Sequence, residues 1–109
     1  MDLGNFSLSL AVKDIAVSRA FYEAFDFAVI AGDQEQGWLI LRNGNAKIGL
    51  FQGMFEQNII TFNPLDVRAI QATLKERGIA LTLEATGDTG PGHATLLDPD
   101  GNAILLDQH

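Results

Sequence analysis

The chain has 109 residues, 47% of them hydrophobic, and a formal net charge of −7, which suits a single domain over residues 1–109. The negative charge disfavours a nucleic-acid partner, because phosphate binding needs a basic surface, and the absence of cysteine excludes disulfides and thiolate metal sites. No apolar run approaches the roughly 20 residues that span a bilayer, and the N-terminus lacks the basic region of a signal peptide, so we expect a cytoplasmic protein with no membrane partner.

The first half of the chain predicts a strand, a helix and three further strands. Phe6 to Val12 alternates apolar and small residues with period two, which indicates a strand. Asp14 suits the N-cap of a helix over residues 15–25, because its carboxylate can accept from the first free amides. That helix carries an apolar stripe typical of packing on a sheet, formed by Val17, Phe21, Ala24 and Phe25. The further strands lie near residues 28–31, 38–42 and 46–51, with a hairpin turn at Asn43-Gly44 before the last.

The second half predicts the same order of elements. A strand over residues 58–63 precedes Asp66, the expected N-cap of a helix over residues 67–77 with one face formed by Val67, Ile70 and Leu74. Gly78 suits the left-handed position that ends this helix. A strand over residues 80–83 follows. A closing hairpin over residues 93–106 turns at Asp98-Pro99-Asp100-Gly101-Asn102.

Equivalent features of the two halves lie at a nearly constant offset. Asp14 and Asp66 are 52 residues apart, and Asp26 and Gly78 at the two helix ends are separated by the same distance. The pattern predicts an α+β fold made of paired βαβββ modules, over about residues 1–52 and 57–109. Each half is too short to bury its own sheet, so we expect one domain whose curled mixed sheets form a cleft.

The paired modules, the opening SLAVKDI and SRAFYEAFDF, and the closing DPDGN-x-I-L-L resemble the vicinal oxygen chelate superfamily. This superfamily includes glyoxalase I, bleomycin-resistance proteins and extradiol dioxygenases. The resemblance covers essentially the whole chain and implies a glyoxalase-like fold and a homodimer. Catalytic members hold a divalent metal at positions that correspond here to Ser7, Ile59 (or Asn58 after a one-residue slip) and Leu105. Serine and leucine cannot replace imidazole or carboxylate ligands, so we expect no metal and no cofactor.

The inward positions of the expected cleft are mostly small, hydroxyl-bearing or apolar, which is the usual composition of a small-molecule pocket. The candidate ligand-binding residues are Ser7, Ser9, Trp38, Ile59, Thr61, His93, Thr95, Leu105 and Asp107. His93 suits either a general base or a hydrogen-bonded residue at the rim. Trp38 suits either stacking on a planar ligand or packing on the sheet. Asp107 suits a cationic ligand, or an ion pair with Arg42 or Lys47 of the chain itself.

These observations favour a protein that binds a small apolar or aromatic molecule without metal-dependent activity, as the bleomycin-resistance branch implies. The alternative is a metal-dependent lyase, isomerase or dioxygenase of the glyoxalase (lactoylglutathione lyase) type with a non-standard metal site. His93 and Asp107 are the best remaining ligands for such a site. A third interpretation is an interaction module with no small ligand and a partly collapsed interior.

Overall fold

The computed structural model describes residues 1 to 109 and contains seven strands and two α-helices. The elements are β1 (Asn5–Val12), α1 (Ile15–Glu23), β2 (Ala28–Asp33), β3 (Trp38–Asn43), β4 (Ala46–Gln52), β5 (Ile59–Asn63), α2 (Val67–Glu76), β6 (Gly92–Leu97) and β7 (Ala103–Gln108), with a short 3₁₀ turn at Gln34–Gln36. The chain divides into two compact units. We call residues 7–58 the first module, and residues 1–6 with 59–109 the second module. No helix has the length and apolar content that a membrane crossing requires.

The first module is a mixed sheet with α1 packed on one face. Its strands lie in the order β2-β3-β4-β1, with β1 parallel to β4 and the other neighbours antiparallel. The register aligns Leu8 with Ile48 and Leu39 with Leu50, so these side chains share the face that α1 covers. The buried core of this module consists of Ile15, Leu39, Leu41, Ile48 and Leu50.

The second module has the strand order β5-β7-β6, with β5 parallel to β7 and β6 antiparallel to β7. The predicted face of α2 is confirmed, because Val67 and Ile70 are buried and Leu74 packs against the same cluster. The sheet contributes Ala94, Leu96 and Leu106 to this core. The two modules therefore confirm an α+β fold with mixed sheets.

The predicted strand over residues 80–83 is wrong in extent. Only an isolated bridge forms there, between Leu83 and Thr95, and the amides of Thr82 and Leu83 both donate to the Thr95 carbonyl. The chain then leaves the edge of the sheet, because the backbone of residues 86–91 is held by the guanidinium of Arg68. The second module is thus βαββ with a single bridge where the first module has a full strand.

The predicted apolar stripe of α1 faces solvent rather than the sheet. Val17, Phe21 and Phe25 are 65%, 58% and 59% exposed. The side of α1 opposite this stripe faces the sheet. It carries Ile15, which is part of the buried core, and Tyr22, which lies two helical turns later and packs against that core. The rotation of α1 is set by its first residue, because the buried Ile15 side chain and its bonded amide cannot turn outward.

The sequence predicts how each of the two helices begins and ends. The carboxylates of Asp14 and Asp66 accept hydrogen bonds from amides in the first turns of α1 and α2, which confirms both N-caps. Asp26 and Gly78 follow the helices with φ of 64° and 80°, in the left-handed region. Glycine adopts that conformation without steric cost, whereas Asp26 adopts it with its side chain present.

A second cap on each helix comes from the last strand of the same module. The Gln52 side-chain oxygen accepts from the Ile15 amide at 2.9 Å, and the Gln108 oxygen accepts from the Val67 amide at 2.8 Å. Each bond satisfies an amide that has no partner within its own helix. The repeat therefore extends to the side chains that join each helix to its sheet.

The closing hairpin turns around Asp98. Its carboxylate accepts from the amides of Asp100 and Asn102 and from the Asn102 side chain at 2.7 Å. These hydrogen bonds, that of the Asn102 side chain above all, favour the ionised form and hold the pKa of the Asp98 carboxyl below its usual 3.8. The Asp98 side chain thus stabilises the turn when it is charged.

Candidate functional site

The second module has one sheet face that α2 does not cover, and six of the nine candidate residues lie on it. The register places Thr61, Leu105 and Thr95 side by side across the three strands. In the next rows Asp107 lies beside His93, and Ile59 beside Ala103. We call this surface the His93 face; its residues are Ile59, Thr61, Asn63, His93, Thr95, Leu97, Ala103, Leu105 and Asp107.

The His93 face combines apolar side chains with hydroxyl groups. Thr61 is buried, whereas Thr95 and Leu105 are half-buried. Leu97 is 52% exposed, and Leu83, which is bridged to Thr95, is 48% exposed. The Thr95 hydroxyl lies 2.7 Å from that of Thr82. The surface therefore presents two accessible leucines around a pair of hydroxyls.

His93 borders a cavity of about 290 Å³ at the edge of this face. The cavity is lined by Leu83, Glu84, Thr86, Pro91, Gly92 and His93. The Glu84 carboxylate is not free to bind a ligand, because it forms an ion pair with Lys75 at 2.7 Å. An apolar wall from Leu83 and a polar imidazole are thus the main chemical features that the cavity offers to a ligand.

The cavity owes its shape to Arg68, a residue that the sequence analysis did not identify. The Arg68 guanidinium donates hydrogen bonds at 2.6–3.3 Å to four backbone carbonyls, those of Thr86, Gly87, Gly90 and Pro91. A Cβ atom at Gly92 would lie 2.9 Å from Arg68 Nη2, so a larger residue there requires the guanidinium to shift. The only feature of the sequence that could have indicated this role is the position of a basic residue, Arg68, on the helix that precedes the glycine-rich loop.

Charged and polar side chains gather at one end of the His93 face. Asp107 lies opposite His93, its carboxylate is 4.0 Å from His109 Nδ1, and its carbonyl accepts from the Asn63 side chain at 2.9 Å. The His109 imidazole is thus the basic group within 4.0 Å of the Asp107 carboxylate, and the two form an ion pair only when the ring is protonated. Nowhere do three His, Asp or Glu side chains come close enough to hold a metal ion.

The metal positions implied by the family resemblance do not fit a divalent ion. Ile59 and Leu105 have hydrocarbon side chains without donor atoms, and the Ser7 hydroxyl is a weak ligand for metals that prefer imidazole or carboxylate. Ile59 and Leu105 instead contribute half-buried apolar surface to the His93 face. These three positions therefore do not provide the divalent-metal ligands that the resemblance implies.

The remaining candidates, Ser7, Ser9 and Trp38, lie in the first module. Ser7 and Ser9 are each only 6% exposed. Ser9 is aligned with Gly49, and the ring of Phe51 occupies the space where a Gly49 side chain would be. Trp38 is half-buried and aligned with Phe51, whose ring centroid is 5.3 Å from that of Phe55. Aromatic packing thus fills space that small residues leave in this module.

No family model and no curated protein matches the sequence, whereas solved structures match its fold. A glyoxalase/bleomycin resistance protein/dioxygenase superfamily member from Vibrio splendidus 12B01 is 18% identical, with a TM-score of 0.73 over 96% of this chain and 98% of its own. A Streptomyces coelicolor methylmalonyl-CoA epimerase variant in complex with 2-nitronate-propionyl-CoA is 20% identical, with a TM-score of 0.70 over 98% of each chain. An NAD-dependent benzaldehyde dehydrogenase from Legionella pneumophila is 17% identical, with a TM-score of 0.78 over 94% of this chain and 97% of its own.

Proposed function

We propose that this chain, which has the glyoxalase-type fold of its structural neighbours, binds a small apolar or aromatic molecule on the His93 face without a catalytic metal. The observation that supports this proposal is the cavity that His93 and the exposed Leu83 border together. With no cysteine that would require an oxidising compartment, the cytoplasm is the proposed location.

The expected ligand is small, and its chemistry follows from the lining. A cavity of about 290 Å³ is just below the roughly 300–1,000 Å³ usual for ligand pockets. Leu83 offers accessible hydrocarbon in the cavity wall, and burying that surface under a ligand is favourable. The His93 imidazole can donate or accept a hydrogen bond, which would fix the orientation of one polar group on the ligand.

A metal-dependent reaction of the glyoxalase type is the alternative, and no observation favours it. The implied metal positions, Ser7, Ile59 (or Asn58) and Leu105, carry no imidazole or carboxylate, and the cross-strand neighbours His93 and Asp107 provide two ligands at most. The proposal therefore assigns binding rather than turnover to the His93 face. Likeness of fold does not decide between these roles, because one fold supports many chemistries.

The proposal is tested by a thermal-shift screen of small aromatic metabolites, followed by titration of each hit. A ligand that binds only the native state stabilises it by RT ln(1 + [L]/Kd), about 2.7 kcal/mol at a hundredfold excess over Kd. The substitution Leu83→Arg places a charge in the apolar wall and should abolish the shift. His93→Ala should weaken binding about tenfold, since it removes one hydrogen bond of the ligand.

Two matched controls identify the site. Leu65→Arg makes the same change at a leucine that is 87% exposed and borders a different cavity, and His109→Ala removes the other histidine. Both variants should retain every hit. Hits that survive Leu83→Arg but disappear with Leu65→Arg would move the ligand to the cavity beside the first turn of α2. Hits that survive both substitutions would place it elsewhere.

A further inference from the structure

The sheet of the first module has one face that α1 does not cover, and two bases lie side by side on it next to the hairpin turn. The register aligns Arg42 of β3 with Lys47 of β4, so their Cβ atoms are about 5 Å apart on one face. Their neighbours along the strands, Leu41 and Ile48, are buried in the core under α1. The two bases therefore point away from the helix. We call this surface the Arg42 face; its residues are Trp38, Ile40, Arg42, Lys47, Gly49 and Phe51.

Neither of these bases has an acidic partner. Like charges directly opposite each other destabilise a sheet unless opposite charge neutralises them. The chain carries 14 acidic side chains and 7 lysine and arginine side chains, so acids are available in excess to pair with every base. Its ion pairs lie elsewhere and join Arg19 to Glu23, Lys75 to Glu84, and His109 to Asp107. Arg42 and Lys47 thus remain uncompensated in a chain in which acids outnumber bases.

The second module shows that the fold does not require charge at this position. In its closing hairpin, the equivalent pair lies next to the turn on the face that α2 does not cover, and it consists of Leu97 and Ala103. A pair of apolar residues is thus sufficient for folding there. The two bases of the first module cost stability without contributing to the fold, which indicates an anion that binds between them.

An apolar floor adjoins the two bases. Ile40 is aligned with Gly49, and the row beyond them pairs Trp38 with Phe51. The Phe51 ring lies over Gly49, where a side chain would collide with it and would come within 3.3 Å of Ile40 Cδ1. Ile40 and Phe51 are half-buried, so part of each side chain stays accessible. Successive rows of one face are about 7 Å apart, so a small molecule that contacts the bases can also reach this floor.

We propose that the Arg42 face binds a small molecule that carries a carboxylate or phosphate group on an apolar or aromatic body. The Arg42 guanidinium can donate two parallel hydrogen bonds to such a group, and the Lys47 ammonium supplies a third donor. An oxyanion between them neutralises both charges and removes their mutual repulsion. The body of the ligand covers Ile40 and Phe51. The site shares no residue with the His93 face, so it is independent of the function proposed for that surface.

A matched set of three probes tests the charge of the ligand. Phenylbutyrate, phenylbutanol and phenylbutylamine share one phenylalkyl body and end in an anion, a neutral group and a cation. The fluorescence of Trp38, the single tryptophan of the chain, should report binding, because Trp38 lies on the same face. Phenylbutyrate should bind about tenfold more tightly than the alcohol, since charged hydrogen bonds are the stronger ones, and the amine should bind most weakly. Tighter binding of phenylbutyl phosphate than of phenylbutyrate assigns the site to phosphate esters, and the reverse order assigns it to carboxylates.

Charge reversal at one base tests the residues. Arg42→Glu should abolish the preference for phenylbutyrate over phenylbutanol, and the protein should remain folded, because a glutamate opposite Lys47 forms a favourable cross-strand pair. Arg77→Glu makes the same change of charge at the exposed end of α2 and should retain the preference. Leu83→Arg alters the cavity beside His93 and should retain the preference as well. Phenylbutyrate binding that is lost with Leu83→Arg and kept with Arg42→Glu would assign the probe to that cavity and overturn the proposal.

A second experiment uses inorganic phosphate, which has no apolar body. Phosphate should raise the midpoint of thermal unfolding of the unaltered chain above its value in chloride of equal ionic strength, because an anion that binds only the folded protein stabilises it. The increase should be smaller in Arg42→Glu, which keeps only the general effect of phosphate on folded proteins, and undiminished in Arg77→Glu. The proposal is overturned if phenylbutyrate binds no more tightly than phenylbutanol, if Arg42→Glu retains the preference, or if phosphate stabilises Arg42→Glu and the unaltered chain equally.

Discussion

The two modules share cores and caps but differ at the surfaces that could bind a partner. In both, an aspartate and a glutamine cap the helix, and a left-handed residue follows it. The first module has four complete strands and an apolar outer helix, whereas the second has a polar outer helix and a loop held by Arg68. The positions that cap and bury the helices are alike in the two modules, so we take the positions that differ as the candidates for function.

The clearest single difference lies at the start of the helices. Arg68 of α2 corresponds, at the offset of 52 residues, to Ala16 of α1. A guanidinium can hold several carbonyls at once, and the methyl group of alanine can hold none. In the second module this position therefore holds a loop that borders a cavity. In the first module no loop is held there, and the apolar side of α1 is exposed.

The largest predicted effect is a difference in unfolding free energy between a substitution in the core of the first module and one on the exposed side of α1. Leu50→Ala, at a fully buried site, should lower the free energy of unfolding by about 3 kcal/mol. Phe21→Ala removes a larger side chain from an exposed site and should cost less than about 0.5 kcal/mol in dilute protein. Urea denaturation measures both values. Equal costs would contradict the outward orientation of α1.

The next effect is confined to the second module. Arg68→Ala should lower the free energy of unfolding by about 2 kcal/mol, because the four carbonyls lose a charged donor. Hydrogen exchange should accelerate at the amides of residues 86–92 and remain unchanged in the first module. Arg77→Ala, on the exposed end of the same helix, is the control and should leave exchange in this loop unaltered.

A smaller and equal effect is expected from the two glutamine caps. Gln52→Ala and Gln108→Ala each remove one hydrogen bond to the first amide of a helix, and each should cost about 1 kcal/mol. Thermal or urea unfolding of the two variants measures the cost. If one substitution is neutral, the caps are not equivalent and the repeat does not extend to them.

The smallest effect is a pH dependence carried by the closing hairpin. Because the pKa of Asp98 is lowered in the folded state, its stabilisation is present above the unfolded value of 3.8 and is lost as the pH falls through the folded value. Stability should therefore fall more steeply in the unaltered chain than in Asp98→Asn as the pH is lowered below about 4. Asp100→Asn, in the same turn, should retain the steeper dependence. Equal slopes in the unaltered chain and Asp98→Asn would contradict this assignment.

The sequence alone determined the features that depend on neighbouring residues. Asp14 and Asp66 cap their helices, and Gly78 ends α2, because a cap or a left-handed residue acts within one turn of the chain. The alternation in β5, β6 and β7 likewise placed Thr61, Thr95 and Leu105 on one face, since successive side chains of a strand point to opposite sides. The order of elements, except for the expected strand at residues 80–83, followed from these local signals and their repetition, and the glyoxalase-type fold followed from the resemblance of the motifs to a known family.

Only the tertiary structure decided the features that depend on distant parts of the chain. Val17, Phe21 and Phe25 form an apolar stripe whose pattern suits either the sheet or the solvent side of α1. The burial of Ile15 and its contact with Gln52 determined which side of the helix faces the sheet. Residues 80–83 have strand composition, but the following loop is drawn to Arg68 and only one bridge forms. In each case residues far apart in sequence compete for one position, and local pattern contains no information about which contact is the stronger.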